Sequence, residues 1–196
     1  MQATKLQKLT IEEYLEIEQS SDNKYEYHDG YIYGMAGGTV NHGRISTNIS
    51  REIGNNLIKK GSSCEIFNSD VKLHIQKENR YVYPDGMVVC GDLQYSEDYK
   101  EAITNPILII EVLSKSTADY DRGDKFFFYQ QIKSLQEYIL IEQDKMQIDI
   151  YSRRKNLWKI SRVTQKDGTL HLSSLDITID LNEIYRSVQF DLSENS

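Results

Sequence analysis

The stretch Ile107-Leu-Ile-Ile-Glu-Val-Leu113 carries a single carboxylate, that of Glu111, among six aliphatic residues. An unbroken aliphatic run of this length is typical of a β-strand that is covered on both faces of its sheet. A lone carboxylate in such a strand either costs several kcal/mol to bury as an ion or binds a proton. We therefore expect a compensating group beside Glu111, namely a cation, a lysine or a metal ion.

A second apolar segment, Tyr81-Val-Tyr-Pro-Asp-Gly-Met-Val-Val-Cys90, repeats this pattern with Asp85. Pro84 cannot donate a ladder hydrogen bond, so we expect the strand to bulge or to lie at an edge beside Asp85. Two strands that each deliver one acid predict a site for a divalent metal, and Mg²⁺ in particular prefers oxygen ligands. Without metal, two acids in one dry pocket repel each other, so at least one of them should have a raised pKa.

A lysine beside the metal would stabilise the pentavalent phosphate or help to deprotonate the attacking water. The residue two positions after Glu111 shares its face of the strand, and it is Leu113 rather than lysine. The nearby candidates are Lys115, just past the strand, and Lys125, in the helix predicted to follow. We favour Lys125, because the residues three, four and seven positions further on are apolar or aromatic and direct its stem toward the core. The alternative for Lys125 is a plain ion pair with Asp121, four residues earlier.

The composition is that of an ordinary soluble globular protein, with 39% hydrophobic and 27% charged residues among 196. This length predicts a single domain over residues 1–196, with a core from about residue 10 to about residue 190. No apolar stretch approaches the roughly 20 residues of a membrane span, and the first residues lack the apolar segment of a signal peptide. We therefore expect a cytoplasmic protein without a membrane segment. Cys64 and Cys90 lack CxxC spacing, which predicts reduced thiols.

The net charge of −7 argues against a tight, nonspecific nucleic-acid binder, because such proteins usually have a basic face. It does not exclude a nuclease, since carboxylates gathered around a metal ion make that pocket acidic. Any positive surface must therefore be local, or it must be built by a dimer.

The remaining pattern predicts helices and strands in alternation. A capping box at 10–13 begins a helix that runs to about residue 18, and Asp29-Gly30 is the tight turn of a hairpin over 24–35. A strand at 136–142 is expected to pair in parallel with the Glu111 strand across a helix at 116–132. The other predicted elements are a long helix ending at Gly61, strands at 64–67, 71–75, 146–151 (half-exposed) and 156–163, and a last helical piece at 181–188. This order predicts an α/β fold, in which a mixed β-sheet is flanked by helices and extended by antiparallel hairpins.

Seven short motifs stand out along the chain. They are Tyr25-Glu-Tyr-His-Asp-Gly30, Met35-Ala-Gly-Gly38, Ser69-Asp-Val71, Tyr83-Pro-Asp85, Asn105-Pro106, Ile110-Glu-Val-Leu-Ser114 and Asp121-Arg-Gly-Asp-Lys125. In this order the sequence resembles the Uma-type restriction endonucleases, a branch of the PD-(D/E)xK nuclease superfamily, from about residue 10 to residue 151. The resemblance implies a restriction-endonuclease-like core, hydrolysis of phosphodiester bonds in DNA, and Mg²⁺ or Mn²⁺ as cofactor.

The resemblance also implies roles for individual residues. By position, Pro84-Asp85 is the PD pair and Glu111 is the second acid, so Asp85 and Glu111 would bind the metal. Leu113 departs from the lysine of the superfamily, and that role is transferred to Lys125. Glu26 matches the acid of an early family motif and is a further catalytic candidate, whose side of the hairpin could also face solvent.

Three weaker candidates complete the site. Asp70 lies before a strand and could join the site or only shape a turn, and Lys115 remains the second lysine. His42, near the start of the long helix, could contact phosphate or act as a base; the alternative is an exposed or capping histidine. The other three histidines show no ligand spacing, which argues against zinc. We attribute the fourteen tyrosines to hairpin and core packing rather than to a base-stacking platform.

Three functions fit these observations. The first is a Mg²⁺-dependent DNA endonuclease. The second is a catalytically silent nucleic-acid-binding protein or mobile-element accessory protein on the same fold, and the third is a metal or small-molecule module. A homodimer is expected by analogy, because cutting two strands commonly takes two sites. The sequence leaves open the recognised DNA sequence, and whether RNA or single strands are cut.

Overall fold

The computed structural model describes residues 8–35, 37–114, 118–155 and 157–190. In these ranges the helical elements are α1 (Ile11–Gln19), α2 (Val40–Lys60), a 3₁₀ turn (Gln76–Glu78), α3 (Ala118–Tyr120), a π-helical turn (Asp121–Lys125), α4 (Phe126–Tyr129) and α5 (Leu181–Ile184). The strands are β1 (Tyr25–His28), β2 (Tyr31–Gly34), β3 (Cys64–Asn68), β4 (Lys72–Ile75), β5 (Arg80–Val82), β6 (Gly86–Cys90), β7 (Ala102–Ile103), β8 (Leu108–Leu113), β9 (Glu137–Glu142), β10 (Gln147–Arg154), β11 (Leu157–Thr164), β12 (Thr169–Leu172) and β13 (Ile177–Asp180).

A six-stranded sheet with the order β11-β10-β9-β8-β6-β3 forms the centre of the fold. The strand β8 pairs in parallel with β9, where Glu111 lies opposite Leu140, and pairs antiparallel with β6 on its other side. All six residues of β8 are buried. The predicted parallel pairing is therefore confirmed, and the aliphatic run is explained by a strand whose two faces are both covered. The mixed α/β architecture with antiparallel hairpins is confirmed as well.

One face of this sheet is covered by α2, α5 and the β12–β13 hairpin. In α2 the side chains of Ile45, Ile49 and Ile53 are buried at intervals of four residues, which is the stripe of an amphipathic helix. The helix begins after the N-cap Thr39, whose hydroxyl accepts the N–H of the third helical residue, and ends at Gly61 in the left-handed conformation. These caps hold the N-terminus of α2 at a fixed place beside β6 and β8.

The other face packs on a second, five-stranded sheet with the order β2-β1-β5-β4-β7 and on the helical segment that follows β8. The β1–β2 hairpin turns at Asp29 (φ 45°) and Gly30 (φ 99°), so both central residues have positive φ, as a type I′ turn requires. Behind this sheet, α1 packs a small core made of Tyr14, Tyr27 and Tyr81. The predicted hairpin and the first helix are confirmed.

The chain passes from the five-stranded to the six-stranded sheet through Tyr83–Asp85, between β5 and β6. The prediction of one strand carrying Asp85 is therefore wrong: the strand stops at Val82 and a new one begins at Gly86. Pro84 gives the physical reason, because it lacks an N–H and forces the residue before it into an extended conformation. Asp85 thus lies at the junction of two sheets rather than inside a ladder.

Two further predictions on the strands are corrected. Cys64 and Cys90 lie directly opposite each other in the antiparallel β3–β6 pair and form a disulfide, so the prediction of reduced thiols is wrong. Directly opposed residues of such a pair have close Cβ atoms, which spacing along the sequence does not reveal. The strand β10, predicted to be half-exposed, is buried from Ile148 to Ser152, because the sheet is covered on both faces there.

Two helical predictions are corrected. The helix predicted at 116–132 is interrupted by the π turn Asp121–Lys125 and ends at Tyr129, and its first two residues lie outside the described ranges. The last helix spans Leu181–Ile184 and not 181–188, and the β12–β13 hairpin before it was not predicted. In the described part of the chain, no helix has the length and apolar character needed to cross a membrane.

A buried carboxylate anchors the β12–β13 hairpin to the central sheet. Glu137, at the start of β9, is 2% exposed and accepts hydrogen bonds from the backbone N–H and hydroxyl groups of Ser173 and Ser174 at 2.6–3.2 Å. Burial alone raises the pKa of Glu137, but these bonds outweigh burial and lower it. The ionised form therefore stabilises the fold.

We predict that Glu137→Gln lowers the free energy of unfolding by about 2 kcal/mol at pH 7, the usual size for hydrogen bonds to a charged group. Because the pKa of Glu137 is lowered in the folded state, this stabilisation is present above the ordinary carboxyl pKa of about 4.3 and is lost as pH falls through the folded pKa. Urea unfolding of both proteins along a pH series measures the difference, which should shrink in acid. Glu65→Gln, at an exposed position of β3, is the control; a difference that does not change with pH would contradict the assignment.

Candidate active site

The junction between the sheets brings Asp85 to the central strand β8. Its Oδ2 atom accepts a hydrogen bond of 2.7 Å from the backbone N–H of Val112, the residue after Glu111. The Asp85 charge is close enough to raise the pKa of Glu111. The two acids predicted to form one site therefore lie together, one from the connection between the sheets and one from the middle of β8.

Glu111 is 4% exposed and lies on the face of β8 that also carries Ile109 and Leu113. Its Oε1 atom is 2.8 Å from Nζ of Lys125 and accepts a hydrogen bond of 2.7 Å from the hydroxyl of Tyr129. The sequence required a compensating group for this carboxylate, and a lysine and a phenol supply it.

Lys125 is buried between two acids. Its Nζ atom also lies 3.4 Å from Oδ1 of Asp121, so the two alternatives from the sequence, a site lysine and an i, i+4 ion pair, occur together. Asp121 is itself 3% exposed, and its backbone carbonyl accepts a hydrogen bond from Tyr138 of β9. The π turn that spans 121–125 inserts one residue into the helix, which rotates the following residues by about 100° relative to a regular α-helix.

The charges of this cluster shift one another's pKa values. Burial raises the pKa of Glu111 to about 8; Lys125 opposes the shift, whereas Asp85 and Asp121 add to it. Burial lowers the pKa of Lys125, but the attraction of Glu111, Glu26 and Asp121 outweighs burial and raises it. Lys125 therefore stays charged at neutral pH. Burial, and not the repulsion between Asp85 and Glu111, is the main cause of the raised pKa of Glu111.

Glu26 faces the same cluster from β1 of the five-stranded sheet. Its Oε1 atom accepts the backbone N–H of Tyr83 at 3.2 Å, and its Oε2 atom lies 3.1 Å from Nε2 of His28. Burial raises the pKa of Glu26, but His28, Lys125 and the N–H of Tyr83 outweigh burial and lower it. The side chain is 14% exposed, so it points into the cluster and not to open solvent.

His42 approaches Asp85 from the N-terminus of α2. Its Nε2 atom is 3.2 Å from Oδ2 of Asp85, and this contact is the main cause that raises the pKa of His42, while burial opposes it. The ring fits only because Gly38 has no side chain: a Cβ there would lie 2.9 Å from Nδ1 of His42. His42 is therefore neither a capping group nor an exposed histidine.

One sequence candidate, Asp70, lies away from this cluster. Asp70 is 70% exposed in the turn between β3 and β4, where it forms an ion pair with Lys24 and hydrogen bonds with Asn68. Its contacts are those of a turn residue. Lys115 lies outside the described residues.

Comparisons with known proteins identify the family of the chain. The family model Uma2, described as "Putative restriction endonuclease", matches residues 11–182. The chain belongs to the Uma2 family. Two relatives of the chain come from Synechocystis sp.: the uncharacterized protein slr1290 is 39% identical over 184 residues, covering 93% of this chain and 94% of that protein, and sll1609 is 36% identical over 174 residues, covering 86% and 95%.

A solved structure shows the same fold at low sequence identity. It is the crystal structure of a "putative nuclease belonging to DUF820" from Anabaena variabilis, which is 16% identical to this chain. The two superpose with a TM-score of 0.70 over 90% of this chain and 97% of that one. The chain thus matches the Uma2 family in sequence and a nuclease-like structure in fold.

The candidate site offers two acids, and not a complete set of protein ligands, to a hard divalent cation. In the described ranges, no group of three or more His, Cys, Asp or Glu side chains is placed to hold a metal ion. The carboxylates of Asp85 and Glu111, which lie on adjacent parts of the chain in space, nevertheless fit Mg²⁺ or Mn²⁺ chemically, because Mg²⁺ is usually bound by one or two carboxylates, with waters and phosphate oxygens completing its shell. This Uma2 protein would therefore depend on its substrate and water for the remaining ligands.

The sequence did not identify Asp121 and Tyr129 as members of the candidate site. Asp121 entered only as the partner in a plain ion pair, and Tyr129 only as an apolar neighbour of Lys125. Both lie four residues from Lys125, so the helical spacing that pointed Lys125 inward contained the signal. The amide of Gln143, which donates to the carbonyl of Leu113 and accepts from Thr39, ties α2 to the end of β8 and left no such signal.

We predict that Glu111 in the metal-free protein titrates with a midpoint near pH 8, measured by carboxyl ¹³C NMR. Because its pKa is raised in the folded state, Glu111 contributes stability that is fully present at low pH and is lost as pH rises from about 4.3 through 8. Asp85→Asn should lower this midpoint and Lys125→Met should raise it, since the two groups shift the pKa in opposite directions. A midpoint below pH 5 in the wild type would contradict a shared, dry pocket.

We predict that Gly38→Ala moves the His42 ring away from Asp85, because the added Cβ would lie 3.0 Å or less from two ring atoms. The pKa of His42 should then fall back toward its ordinary value of about 6.5, as followed by imidazole ¹⁵N NMR. Gly37→Ala is the matched control, since a Cβ at Gly37 meets nothing within 4 Å. Equal His42 titrations in the two variants would refute the role given to Gly38.

Proposed function

We propose that this protein is a DNA endonuclease that uses Mg²⁺ or Mn²⁺ to hydrolyse phosphodiester bonds, with Asp85 and Glu111 as the metal ligands. The observation that carries the proposal is that Asp85 bonds to the backbone N–H next to Glu111, while the Glu111 carboxylate lies 2.8 Å from the ammonium of Lys125. Membership of a restriction-endonuclease family supports the class of reaction. The metal, the substrate and the residue roles are our inference from the chemistry of the cluster.

The two acids would hold the metal, which when bound polarises the scissile phosphate and lowers the pKa of a coordinated water. Lys125 has three N–H donors, so it can keep its contacts with Glu111 and Asp121 and still donate to a phosphate oxygen. A charged donor at this place stabilises the negative charge that develops on the phosphate. The hydroxyl of Tyr129 donates to the Glu111 carboxylate and would fix its orientation, so that Glu111 can bind the metal and keep its contact with Lys125.

Glu26 and His42 would position the main groups. Glu26 attracts the Lys125 ammonium from the five-stranded sheet and keeps it charged in a buried place. His42 binds the same oxygen of Asp85 that accepts the Val112 N–H, and so fixes the direction of that carboxylate. We assign no role to Asp70, and Lys115 is the second candidate for the lysine.

The test is cleavage of supercoiled plasmid DNA and of single-stranded oligonucleotides with Mg²⁺ or Mn²⁺. We expect Asp85→Ala and Glu111→Ala to reduce cleavage by at least about 100-fold with the fold intact, because each removes one of two protein ligands. Glu65→Ala, which removes an exposed acid from another strand of the same sheet, should retain full activity.

Full activity of Asp85→Ala or of Glu111→Ala would refute the assignment of that residue as a metal ligand. DNA binding by the wild type without any metal-dependent cleavage would instead favour the catalytically silent, accessory function on the same fold. Circular dichroism of each variant separates loss of chemistry from loss of structure.

A further inference from the structure

One face of the β1–β2–β5 sheet continues the candidate site outward to solvent. Glu26 lies opposite Tyr33, and His28 lies opposite both Tyr31 and Arg80, in the antiparallel pairs of these strands. Directly opposed residues share a face of the sheet, as do residues two apart on a strand. This face of the sheet therefore carries a carboxylate, an imidazole, two phenols and a guanidinium next to one another.

Three aromatic rings, two from this face and one from α3, follow one another in a column. The ring of Tyr33 lies 4.7 Å from that of His28 and is tilted to it by 37°, and the ring of His28 lies 6.4 Å from that of Tyr120 at an interplanar angle of 19°. His28 also contacts the carboxylate of Glu26 at 3.1 Å. The outer ring of the column, that of Tyr33, is thus separated by a single side chain from Glu26, the acid proposed to position Lys125.

Tyr33 differs from the tyrosines that build the core. It lies on the edge strand β2 and is 53% exposed, whereas Tyr14, Tyr27 and Tyr81 on the opposite side are at most 2% exposed. The packing role attributed to the tyrosines holds for these three and does not account for Tyr33. Exposed aromatic residues are common singly, so the position of this one beside the acid cluster is the informative fact.

A positive side chain accompanies the column. The guanidinium of Arg80 lies 3.5 Å from the centroid of the Phe128 ring, and its Nε atom is buried and, within the described ranges, has no hydrogen-bond partner. Arg80 therefore adds positive charge to this face, and that charge attracts a phosphate group without a hydrogen bond from the buried Nε. The chain has a net charge of −7, so it needs local positive charge to bind the phosphates of a nucleic-acid strand. Arg80 provides such a charge beside the exposed ring.

We propose that Tyr33, supported by His28, stacks on an unpaired base next to the scissile phosphate, so that the preferred substrate is single-stranded rather than fully paired DNA. A base inside a duplex has both faces covered by its neighbours and cannot receive such a ring, whereas an unpaired base can. Stacking of this kind tolerates every base, because every base has a π face. The inference rests on the proposed nuclease function and specifies the substrate of that site.

The experiment measures binding without cleavage. A single-stranded oligonucleotide carrying 2-aminopurine, and the matching duplex, are titrated with the protein in EDTA and again with Ca²⁺ to neutralise the carboxylates. We expect tighter binding of the single strand and quenching of 2-aminopurine fluorescence. Tyr33→Ala should lose the quenching and weaken binding by about 5- to 100-fold, the range that base–aromatic stacking supplies, while Tyr33→Phe should behave as the wild type.

The matched control is Tyr95→Ala. Tyr95 is 50% exposed and bridges to Ile103 at the opposite edge of the same sheet, so it should leave binding and quenching unchanged. Equal affinity of the wild type and Tyr33→Ala, no binding of the single strand, or equal or tighter binding of the duplex would overturn the proposal. Because these measurements need no catalysis, a stacking protein that fails to cleave remains distinguishable from a nuclease that does not stack.

Discussion

The burial of the Glu111 carboxylate in the central strand is the constraint on which the rest of the structure depends. A strand with both faces covered offers no water to solvate an ion. The fold answers with a lysine and a phenol from the helical segment after β8. In that segment Asp121, Lys125 and Tyr129 follow one another at intervals of four residues, and both Lys125 and Tyr129 contact Glu111. The buried carboxylate therefore receives its charge partner and its hydrogen-bond donor from one helical segment.

The candidate site lies where the two sheets meet, and this position accounts for its composition. The central sheet contributes Glu111, the second sheet contributes Glu26, and the connection between them contributes Asp85. The long helix α2 adds His42 from its N-terminus, which is held by its cap and by Gln143. A nuclease fold of the Uma2 family thus gathers acids from separate elements without any cluster in the sequence.

Much of this arrangement could be predicted from the sequence, because local chemistry determines it. The parallel β8–β9 pair followed from two aliphatic runs separated by a helical pattern, and the β1–β2 hairpin from Asp29-Gly30. Lys125 was selected by helical spacing alone. Pro84 indicated an irregularity beside Asp85, but not that the chain changes sheets there. That change of sheet and the Cys64–Cys90 pair could not be predicted, because both depend on which strands become neighbours in space.

The connection Tyr83–Asp85 gives the site a mechanical property. Asp85 directly precedes Gly86 of β6, which pairs with β8, and its carboxylate accepts the Val112 N–H of β8. Asp85 and Glu111 are therefore both held by the six-stranded sheet, and the separation of these two acids does not depend on the spacing between the sheets. Glu26 belongs to the other sheet, so a change in that spacing would move Glu26, and not Asp85, relative to Glu111.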